Sequence, residues 1–399
     1  MMNRVGAKKR ILFMVNSLAG GGAEKALIEL LRNFDYERYD VELCVVFNIG
    51  VYLNDVPRQV KMFHLYNSEG HGAHHHALRL YRKHGLDFLF RWRVRSRVKG
   101  NFDAIVSFLE GDSLLLHSMV TDRAKRNITW LHCNLASFHW TRKLFPDDEL
   151  EKRAYSKMDV VVGCSQCALD SFYGLYHLPL PGCVIPNIID AGKIRELAEP
   201  EPQVELEPAT ELESSAESGT SVKSDRMFTI SSVGSLSDVK CYDRLIRAAF
   251  RLREGGYDLC FRVAGDGKLR NELEALRDSF NLGDSFQFLG FVKPPYHVIK
   301  NSDLFVSTSR SEAAPLVFCE AMAVGVPVVA TRNEGSAEIL GDSHFGLLVE
   351  QDDESIYQGI KRMIDDAALR ERYIAEGERR LKMFSKETTL AKLTSLFES

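Results

Sequence analysis

Short apolar runs alternate with helix-like patterns along most of this chain, and they do so in two separate sets. Near-continuous apolar strands are typical of parallel sheets that are buried on both faces and connected by helices. Two such sets predict two doubly wound α/β domains. The predicted strands are Ile11–Val15, Val41–Phe47, Ala104–Phe108, Ile128–Trp130 and Val160–Cys164 in the first set, and Phe228–Val233, Leu259–Ala264, Phe286–Leu289, Leu304–Ser307 and Val326–Ala330 in the second.

Composition narrows the class of protein. The 399 residues suffice for two or three domains, and 45% hydrophobic with 27% charged residues is ordinary for a globular protein. The net charge of −4 gives no reason to expect nucleic-acid binding. No charge-free stretch approaches the ~18 residues that a membrane-spanning helix needs. The 8 cysteines are too sparse for a disulfide scaffold, which favours a cytoplasmic protein with reduced thiols.

A compositional break separates the two sets of strands. Residues 199–222 contain seven Glu and three Pro, with no Lys, Arg or aromatic residue. Such a segment buries too little surface to offset its chain entropy. It predicts a disordered acidic linker over 199–225, with an acidic interaction tail as the alternative.

A basic region lies inside the first set. Eight Lys or Arg and a single acidic residue, Asp87, occur over Arg79–Lys99, with aromatic and aliphatic residues between them. This composition predicts contact with an anionic membrane surface. A solvated helix with an apolar inner face is the alternative. The histidine tract His71, His74, His75 and His76 just before it is predicted to lie in a polar loop.

A glycine-rich turn follows the first predicted strand. Gly20, Gly21 and Gly22 precede a helical pattern that begins at Ala23. Glycines let backbone N–H groups approach a phosphate, and the helix dipole favours negative charge there. Lys25 stands where a dinucleotide fingerprint would have its third glycine, so the pattern does not favour nicotinamide. The turn is predicted to be an anion site, with a tight turn that binds nothing as the alternative.

A second helix start follows the buried strand Leu304–Ser307. Pro315 suits the first position of a helix, so the N–H groups of the next two residues, Leu316 and Val317, would point out of its N-terminus. Glu312 precedes this helix and Glu320 lies inside it. Two carboxylates that flank a phosphate-binding helix end would suit a nucleotide sugar, one for each sugar ring. An ordinary helix start with a solvated Glu is the alternative.

Together, these residues resemble the family 4 glycosyltransferases of the GT-B fold over most of the chain. The spacing of the two Glu residues is the most specific feature, and the order of the landmarks supports it. These landmarks are Gly21-Gly22-Ala23-Glu24, Trp130-Leu131-His132, Ile185-Pro186-Asn187, Val233-Gly234-Ser235 with Lys240, Ala264-Gly265-Asp266-Gly267, the Glu312 and Glu320 pair, and Gly325-Val326-Pro327.

The resemblance implies two Rossmann-like domains that face each other across a cleft. An acceptor-binding domain would span 1–190, a nucleotide-sugar-binding domain 226–381, and a final helix over 382–399 would return to the first domain. The implied enzyme is a retaining hexosyltransferase that needs no cofactor and no bound metal. Its donor would be a UDP- or GDP-sugar and its acceptor a glycan or lipid-linked molecule of the cell envelope. It would act in the cytoplasm or at the inner membrane face.

The resemblance also implies residue roles. Glu320 would bind the ribose and Glu312 the donor sugar, while His132 would sit near the transferred sugar. The donor phosphates would be contacted by Lys240, the N–H groups of Leu316 and Val317, the Gly21-Gly22 turn and the turn at Ser235.

Three positions depart from the family pattern. Ser235 replaces a usual Arg, Cys241 replaces a usual Gly after the key lysine, and Ala313-Ala314 follow the first Glu. The first departure weakens the expected neutralisation of the diphosphate. The alternative hypothesis is therefore a catalytically impaired sugar-nucleotide-binding protein of the same fold. The presence of Lys240 favours an active enzyme.

Overall fold

A computed structural model describes residues 7–67, 71–145, 147–199 and 227–398, and in these ranges the chain forms two α/β domains. The N-terminal domain has a seven-stranded sheet of order β3-β2-β1-β4-β5-β6-β7, in which every neighbouring pair is parallel. Its strands are β1 (Lys9–Val15), β2 (Tyr39–Phe47), β3 (Lys61–Tyr66), β4 (Phe102–Ser107), β5 (Ala124–Leu131), β6 (Val160–Gly163) and β7 (Gly182–Val184). Its helices are α1 (Gly22–Arg32), α2 (His71–His84), α3 (Phe88–Arg97), α4 (Asp112–His117), α5 (Asp148–Tyr155) and α6 (Gln166–Tyr176). The next helix, α7 (Ala191–Ala198), packs on the second domain.

The C-terminal domain repeats this design with six strands. Its sheet has the order β10-β9-β8-β11-β12-β13 and is again parallel. Its strands are β8 (Phe228–Val233), β9 (Leu259–Ala264), β10 (Phe286–Gly290), β11 (Leu304–Ser307), β12 (Val328–Thr331) and β13 (Leu347–Val349). The helices are α8 (Tyr242–Glu254), α9 (Arg270–Ser279), α10 (Tyr296–Lys300), α11 (Leu316–Ala323), α12 (Glu334–Leu340), α13 (Asp353–Asp365), α14 (Ala367–Leu381) and α15 (Lys386–Glu398).

These sheets confirm the predicted pair of doubly wound domains, and a strand occurs at each of the ten predicted positions. The sequence patterns missed β3, β7 and β13, which all lie at sheet edges. Strands β3 and β7 are partly solvated, so they lack the continuous apolar run that marks a strand buried on both faces. Strand β13 is largely buried but has only three residues. Residues of β3, for example, change from exposed to buried along its length.

Each sheet reverses its strand order at one point, between β1 and β4 in the first domain and between β8 and β11 in the second. In open parallel sheets the carboxyl ends of the strands at such a reversal are the usual ligand site. Glu110 follows β4 at this edge of the first domain. The second domain places Lys240 and Glu312 in the loops that follow β8 and β11.

The last helix, α15, packs on the first domain although the second domain precedes it in the chain. Leu393, Leu396 and Phe397 belong to the hydrophobic core formed around β1. The Phe397 ring lies 6.5 Å from the Phe13 ring, between centroids. The chain therefore crosses to the second domain at α7, whose Ile194 and Ala198 are buried there, and comes back to the first domain at its end.

The predicted linker over 199–225 lies outside the described residues, except for Glu199, which follows α7 and pairs with Lys300. The prediction that the histidine tract lies in a loop was wrong, because it forms the start of α2. His74 is buried there and its Nε2 lies 2.7 Å from Asp112 Oδ1. Within the described ranges, the helices are too short or too polar to cross a membrane.

Candidate active site

Both domains contribute to a cleft where the start of α1 faces the start of α11. Ala23 of α1 and Leu316 of α11 pack against the same hydrophobic core. On the same side, Lys193 Nζ lies 3.1 Å from Glu29 Oε1, and Lys293 pairs with Asp55. These contacts bring the predicted glycine turn and the predicted phosphate-binding helix together.

Lys240 and Glu312 form an ion pair, with 2.5 Å between Nζ and Oε1. The ion pair joins the loop after β8 to the loop after β11, and hydrogen bonds connect the same two loops. The Thr308 hydroxyl donates to the carbonyl oxygen of Lys240 at 3.0 Å, and the Arg310 N–H donates to that of Val239 at 2.8 Å. The side chains that the sequence assigned to the diphosphate and to the donor sugar therefore face one another.

Cys241, beside Lys240, has a left-handed backbone with φ of 49°. Non-glycine residues adopt this conformation at a cost of about 1–2 kcal/mol, which explains why the family prefers glycine there. The Cys241 thiol donates to the carbonyl oxygen of Asp238 at 3.2 Å. This hydrogen bond offsets part of the backbone cost.

Glu320 is buried and pairs with Lys25 of the other domain, at 2.6 Å between Oε1 and Nζ. The Lys25 ammonium also lies 4.6 Å from the centre of the Tyr296 ring. Burial disfavours the charged ammonium, but Glu320 and Tyr296 outweigh burial and raise the pKa of Lys25 above its usual range. Lys25 therefore stays charged, and it joins the predicted ribose-binding carboxylate to the glycine turn.

Helix α11 starts at Leu316, with Pro315 as the residue before it. The expectation that Pro315 is the first helical residue was thus wrong by one position. Leu316 and Val317 form the first turn, so their N–H groups have no carbonyl acceptor within the helix. Glu312 precedes this helix end in the chain and Glu320 lies inside the helix, as the spacing predicted.

Gly21 and Gly22 begin α1. The carboxylate of Glu24 turns back to this end: a Cβ on Gly21 would lie 2.3 Å from Glu24 Oε2. Burial raises the pKa of Glu24, while hydrogen bonds from the N–H groups of Glu24 and Gly21 oppose this shift. The predicted anion site is therefore occupied by the chain's own carboxylate, which a phosphate would have to displace.

Ser235 is exposed, and its hydroxyl lies 3.1 Å from that of Ser237. The neighbouring turn at Gly265 packs closely on Gly234: a Cβ on Gly265 would lie 1.9 Å from the Gly234 carbonyl oxygen. The φ of Gly265, 157°, also favours glycine. The requirement for glycine at this landmark is therefore explained by packing of the two turns.

His132 follows β5, and its ring packs 4.5 Å from the ring of Phe108, between centroids. Burial lowers the pKa of His132 to about 3, so the imidazole is neutral. Its Nε2 is buried and has no hydrogen-bond partner among the described residues. The backbone N–H groups of His132 and Cys133 donate to Oε1 of Glu110, at 2.7 and 2.9 Å.

Helix α12 of the second domain contacts the start of α6 in the first domain. The carboxylate of Glu338 accepts hydrogen bonds from the N–H groups of Gln166 and Cys167, the first two residues of α6, at 2.8 and 3.0 Å. The Asn134 amide donates to Glu334 at 3.3 Å. A carboxylate at a helix N-terminus is favourable, so these contacts hold the domains together.

Sequence reasoning missed the contacts that Lys25, Glu110 and Glu338 make in and beside the cleft. Lys25 carried a signal, since a charged residue replaced an expected glycine. Glu110 carried a weaker one, an acidic residue directly after an apolar strand. Glu338 carried none, because its partners lie 171–172 positions away in the chain. In the described part of the chain, we find no group of three or more His, Cys, Asp or Glu placed to hold a metal ion.

Two family models match the chain. The model "Glycosyltransferase Family 4" matches residues 20–193, and "Glycosyl transferases group 1" matches residues 215–380. Together they account for the two domains that form the cleft. The chain therefore belongs to the family 4 glycosyltransferases, which confirms the resemblance seen in its motifs.

Solved structures of similar fold cover nearly the whole chain. HepE from Anabaena, in complex with UDP and glucose, has a TM-score of 0.73 at 19% identity and covers 98% of this chain and 100% of its own. Sucrose-phosphate synthase from Thermosynechococcus elongatus has a TM-score of 0.73 at 16% identity, with 98% of each chain covered. These likenesses confirm the predicted GT-B fold.

Curated relatives match over shorter segments. N-acetylgalactosamine-N,N'-diacetylbacillosaminyl-diphospho-undecaprenol 4-alpha-N-acetylgalactosaminyltransferase of Campylobacter jejuni is 39% identical over 159 residues, which is 39% of this chain and 43% of that protein. The lipopolysaccharide core biosynthesis glycosyltransferase LpsD of Rhizobium meliloti is 32% identical over 173 residues, 43% of this chain and 49% of that protein. The chain thus spans about half the length of the curated relatives it matches.

Proposed function

We propose that this protein transfers a sugar from a nucleotide-diphosphate sugar to a glycan or lipid-linked acceptor of the cell envelope. In this proposal the anomeric configuration is retained and no bound metal takes part. The observation that carries the proposal is the start of α11, where a helix end suited to phosphate lies between two carboxylates. Lys240 holds one of these carboxylates and Lys25 the other.

The chemistry follows from the charges at this helix end. As the bond from sugar to diphosphate breaks, negative charge develops on the departing phosphate oxygens. The Lys240 ammonium and the N–H groups of Leu316 and Val317 would stabilise that charge. In many enzymes, preorganised donors of this kind contribute more to the rate than any other effect. The Glu312 carboxylate would then break its ion pair with Lys240 and accept hydrogen bonds from hydroxyl groups of the donor sugar.

The ribose would bind beside Glu320. Because Lys25 contacts Oε1 of this carboxylate, Oε2 is the oxygen that can accept a ribose hydroxyl without breaking the ion pair. Lys25 would then remain in place when the nucleotide binds. This arrangement links nucleotide binding to contact between the two domains.

The printed names of the relatives support the acceptor class. The Campylobacter jejuni protein is named for a diphospho-undecaprenol-linked acceptor and the Rhizobium meliloti protein for lipopolysaccharide core synthesis. A lipid-linked or lipopolysaccharide acceptor would lie at a membrane surface. We therefore extend the proposal to peripheral contact with an anionic membrane surface.

The helices α2 and α3 are the surface that would make this contact. The basic residues divide into two groups: Arg93 and Arg95 of α3 bond to Leu65 O and Asp122, so they support the fold. Three basic residues of α2 are exposed and show no ion pair with any described residue: Arg79, Arg82 and Lys83. Two aromatic side chains of α3 are also exposed, Phe88 by 55% and Trp92 by 66%. Exposed cations and exposed aromatic residues on two helices that contact each other suit an anionic lipid surface.

The proposed donor site is tested with a panel of nucleotides and nucleotide sugars, using thermal shift and donor turnover. Glu320→Ala should weaken binding of the free nucleoside diphosphate, because hydrogen bonds to a charged group contribute roughly 1.5–3 kcal/mol. Glu312→Ala should spare the free nucleotide and reduce turnover of the nucleotide sugar. Equal loss of nucleotide binding in both variants would contradict this division of roles, and the anomer of the product, read by NMR, tests retention.

The membrane proposal needs a separate measurement. Co-sedimentation with phosphatidylglycerol vesicles should exceed that with phosphatidylcholine vesicles and should fall with added salt. Replacing Arg79, Arg82 and Lys83 by Gln should abolish the difference between the two lipids. Arg251→Gln in α8 is a control on the other domain, where it removes one half-buried arginine that pairs with Glu354. Equal binding of the α2 variant and the control would contradict the assignment.

A further inference from the structure

Glu110 is a buried carboxyl group to which none of the motifs assigned a role. It follows β4 at the point where the strand order of the first sheet reverses, and its side chain has no exposed surface. Its Oε1 accepts the N–H groups of His132 and Cys133, while its Oε2 has no partner among the described residues. One carboxyl oxygen thus holds the turn that carries His132.

The same turn is held from the other domain. Asn134, next to Cys133, donates to Glu334 of α12 at 3.3 Å. The segment His132–Asn134 is therefore fixed at one end by an acid of its own domain and at the other by an acid across the cleft. A change at Glu110 would therefore act on the backbone of His132 through these hydrogen bonds.

The ionisation of Glu110 is finely balanced. Burial raises the pKa of Glu110 to about 7, although backbone N–H groups of Glu110, Cys133 and His132 act in the opposite direction. The negative charge of Glu151 on α5 also raises the pKa of Glu110. The other titratable groups near it are the neutral His132 and four weak acids: Tyr155 on α5, Tyr176 on α6, Cys164 after β6 and Cys133 after β5. Among the described residues, Glu110 forms no ion pair with a cation.

We propose that Glu110 is a positioning residue for His132, and that the charged form of Glu110 orders the segment His132–Asn134 for turnover. The physical reason is the strength of the two hydrogen bonds. A bond to an ionised carboxylate is roughly twice as strong as a bond between neutral groups. When Glu110 takes up a proton, both bonds weaken together and the segment loosens. The effect on turnover rests on the proposed function, but the effect on the segment does not.

The first experiment needs no substrate. Hydrogen exchange of the peptide that covers His132–Asn134 is compared between the wild type and Glu110→Gln at each pH from 6 to 8, so that the intrinsic pH dependence of exchange cancels. The glutamine keeps a neutral acceptor of the same shape. The ratio of protection, wild type over variant, should be near one at pH 6 and rise roughly fivefold or more by pH 8. A ratio that does not change with pH would overturn the proposal.

A second variant sharpens the assignment. The negative charge of Glu151 raises the pKa of Glu110. Introducing Glu151→Gln into both proteins should therefore shift the rise in the protection ratio to lower pH without abolishing it. An unshifted rise would mean that a group other than Glu110 titrates, which would also overturn the proposal.

Turnover of the donor selected by the nucleotide panel gives the functional readout. In the wild type, kcat should fall below about pH 7, and Glu110→Gln should lower kcat and flatten this part of the profile. KM for the donor should change little, because Lys240, Glu312, Glu320 and the start of α11, which carry most of the proposed donor contacts, lie in the other domain. A pH profile that is the same in both proteins would overturn the role in turnover. If the protection ratio follows pH but no sugar nucleotide is turned over, then the proposed function fails and the role of Glu110 in the segment stands.

Discussion

Replacing Lys25 with methionine would keep most of its side chain but remove the charge that faces Glu320. Their side chains are exposed by only 19% and 6%, so the carboxylate would be left nearly buried and unpaired. The two residues belong to different domains, and opening the cleft would rehydrate Glu320. We therefore expect Lys25→Met to weaken the docking of the domains rather than to unfold either of them.

The size of the effect follows from the burial of the pair. Breaking a fully buried ion pair by removing one partner costs about 3–5 kcal/mol. Because Lys25 keeps about a fifth of its exposure, we expect about 2–3 kcal/mol. At about 1.4 kcal/mol for each factor of ten, the equilibrium constant for opening should rise roughly 30- to 140-fold.

Cys167 reports this opening. Its thiol donates to the carbonyl oxygen of Ala313 across the cleft at 3.2 Å, and burial raises its pKa to about 12. Its rate of alkylation, resolved by peptide mass spectrometry, should rise in proportion to the open fraction. Cys260, partly exposed on β9 within the second domain, is the internal reference.

The double variant Lys25→Met/Glu320→Gln is the matched control, since it leaves no charge unpaired at this position. Its Cys167 rate should return close to that of the wild type, even though the ion pair is absent. An unchanged rate in Lys25→Met would show that the pair does not hold the domains together. An equal rise in both variants would show that loss of contact, rather than the unpaired charge, controls opening.

Three further predictions concern the leaving group, the metal and a buried histidine. Lys240→Ala should lower kcat/KM by roughly 10²–10³, the effect of losing one preorganised donor to a developing anion, and near-normal turnover would place the diphosphate elsewhere. Turnover should persist in excess EDTA; loss of activity that Mg²⁺ or Mn²⁺ restores would refute the metal-free mechanism. Burial lowers the pKa of His117 to about 4, whereas a histidine in the unfolded chain has a pKa of ~6.5. Between these two values the unfolded state binds a proton that the folded state does not bind. The free energy of unfolding should therefore fall as the pH decreases from 6.5 to 4. His117→Gln should make this slope shallower by roughly 1 kcal/mol per pH unit in urea titrations, and an unchanged slope would contradict the assignment.

The sequence predicts the fold well because central parallel strands are buried on both faces. Strands such as β6 and β11 read as short apolar runs, and all their residues are buried. The edge strand β3 was missed for the opposite reason, because its first two residues are exposed and the next two are only half-buried. The helical histidine tract was missed because the burial of His74 depends on Asp112, a residue that no local pattern connects to it.

The candidate site was predictable only where its residues are close in the chain. Glu312 and Glu320 share one helix start, so their spacing alone indicates a common ligand. The pairing of Glu320 with Lys25 joins residues 295 positions apart, and no periodicity contains that information. Glu110 shows a further limit, since its proposed role rests on burial and two backbone hydrogen bonds that exist only in the folded domain.

The return of α15 to the first domain has a consequence for how the protein is made. Phe397 packs among Phe13, Phe34 and Tyr39, yet it is translated after the whole second domain. During synthesis, the first domain therefore exposes the apolar surface on which α15 will pack, while the second domain can complete its own sheet. A nascent chain arrested before Lys386 should contain a finished second domain and an unfinished first one, so chaperone contacts during synthesis should concentrate on the half of the protein that emerges first.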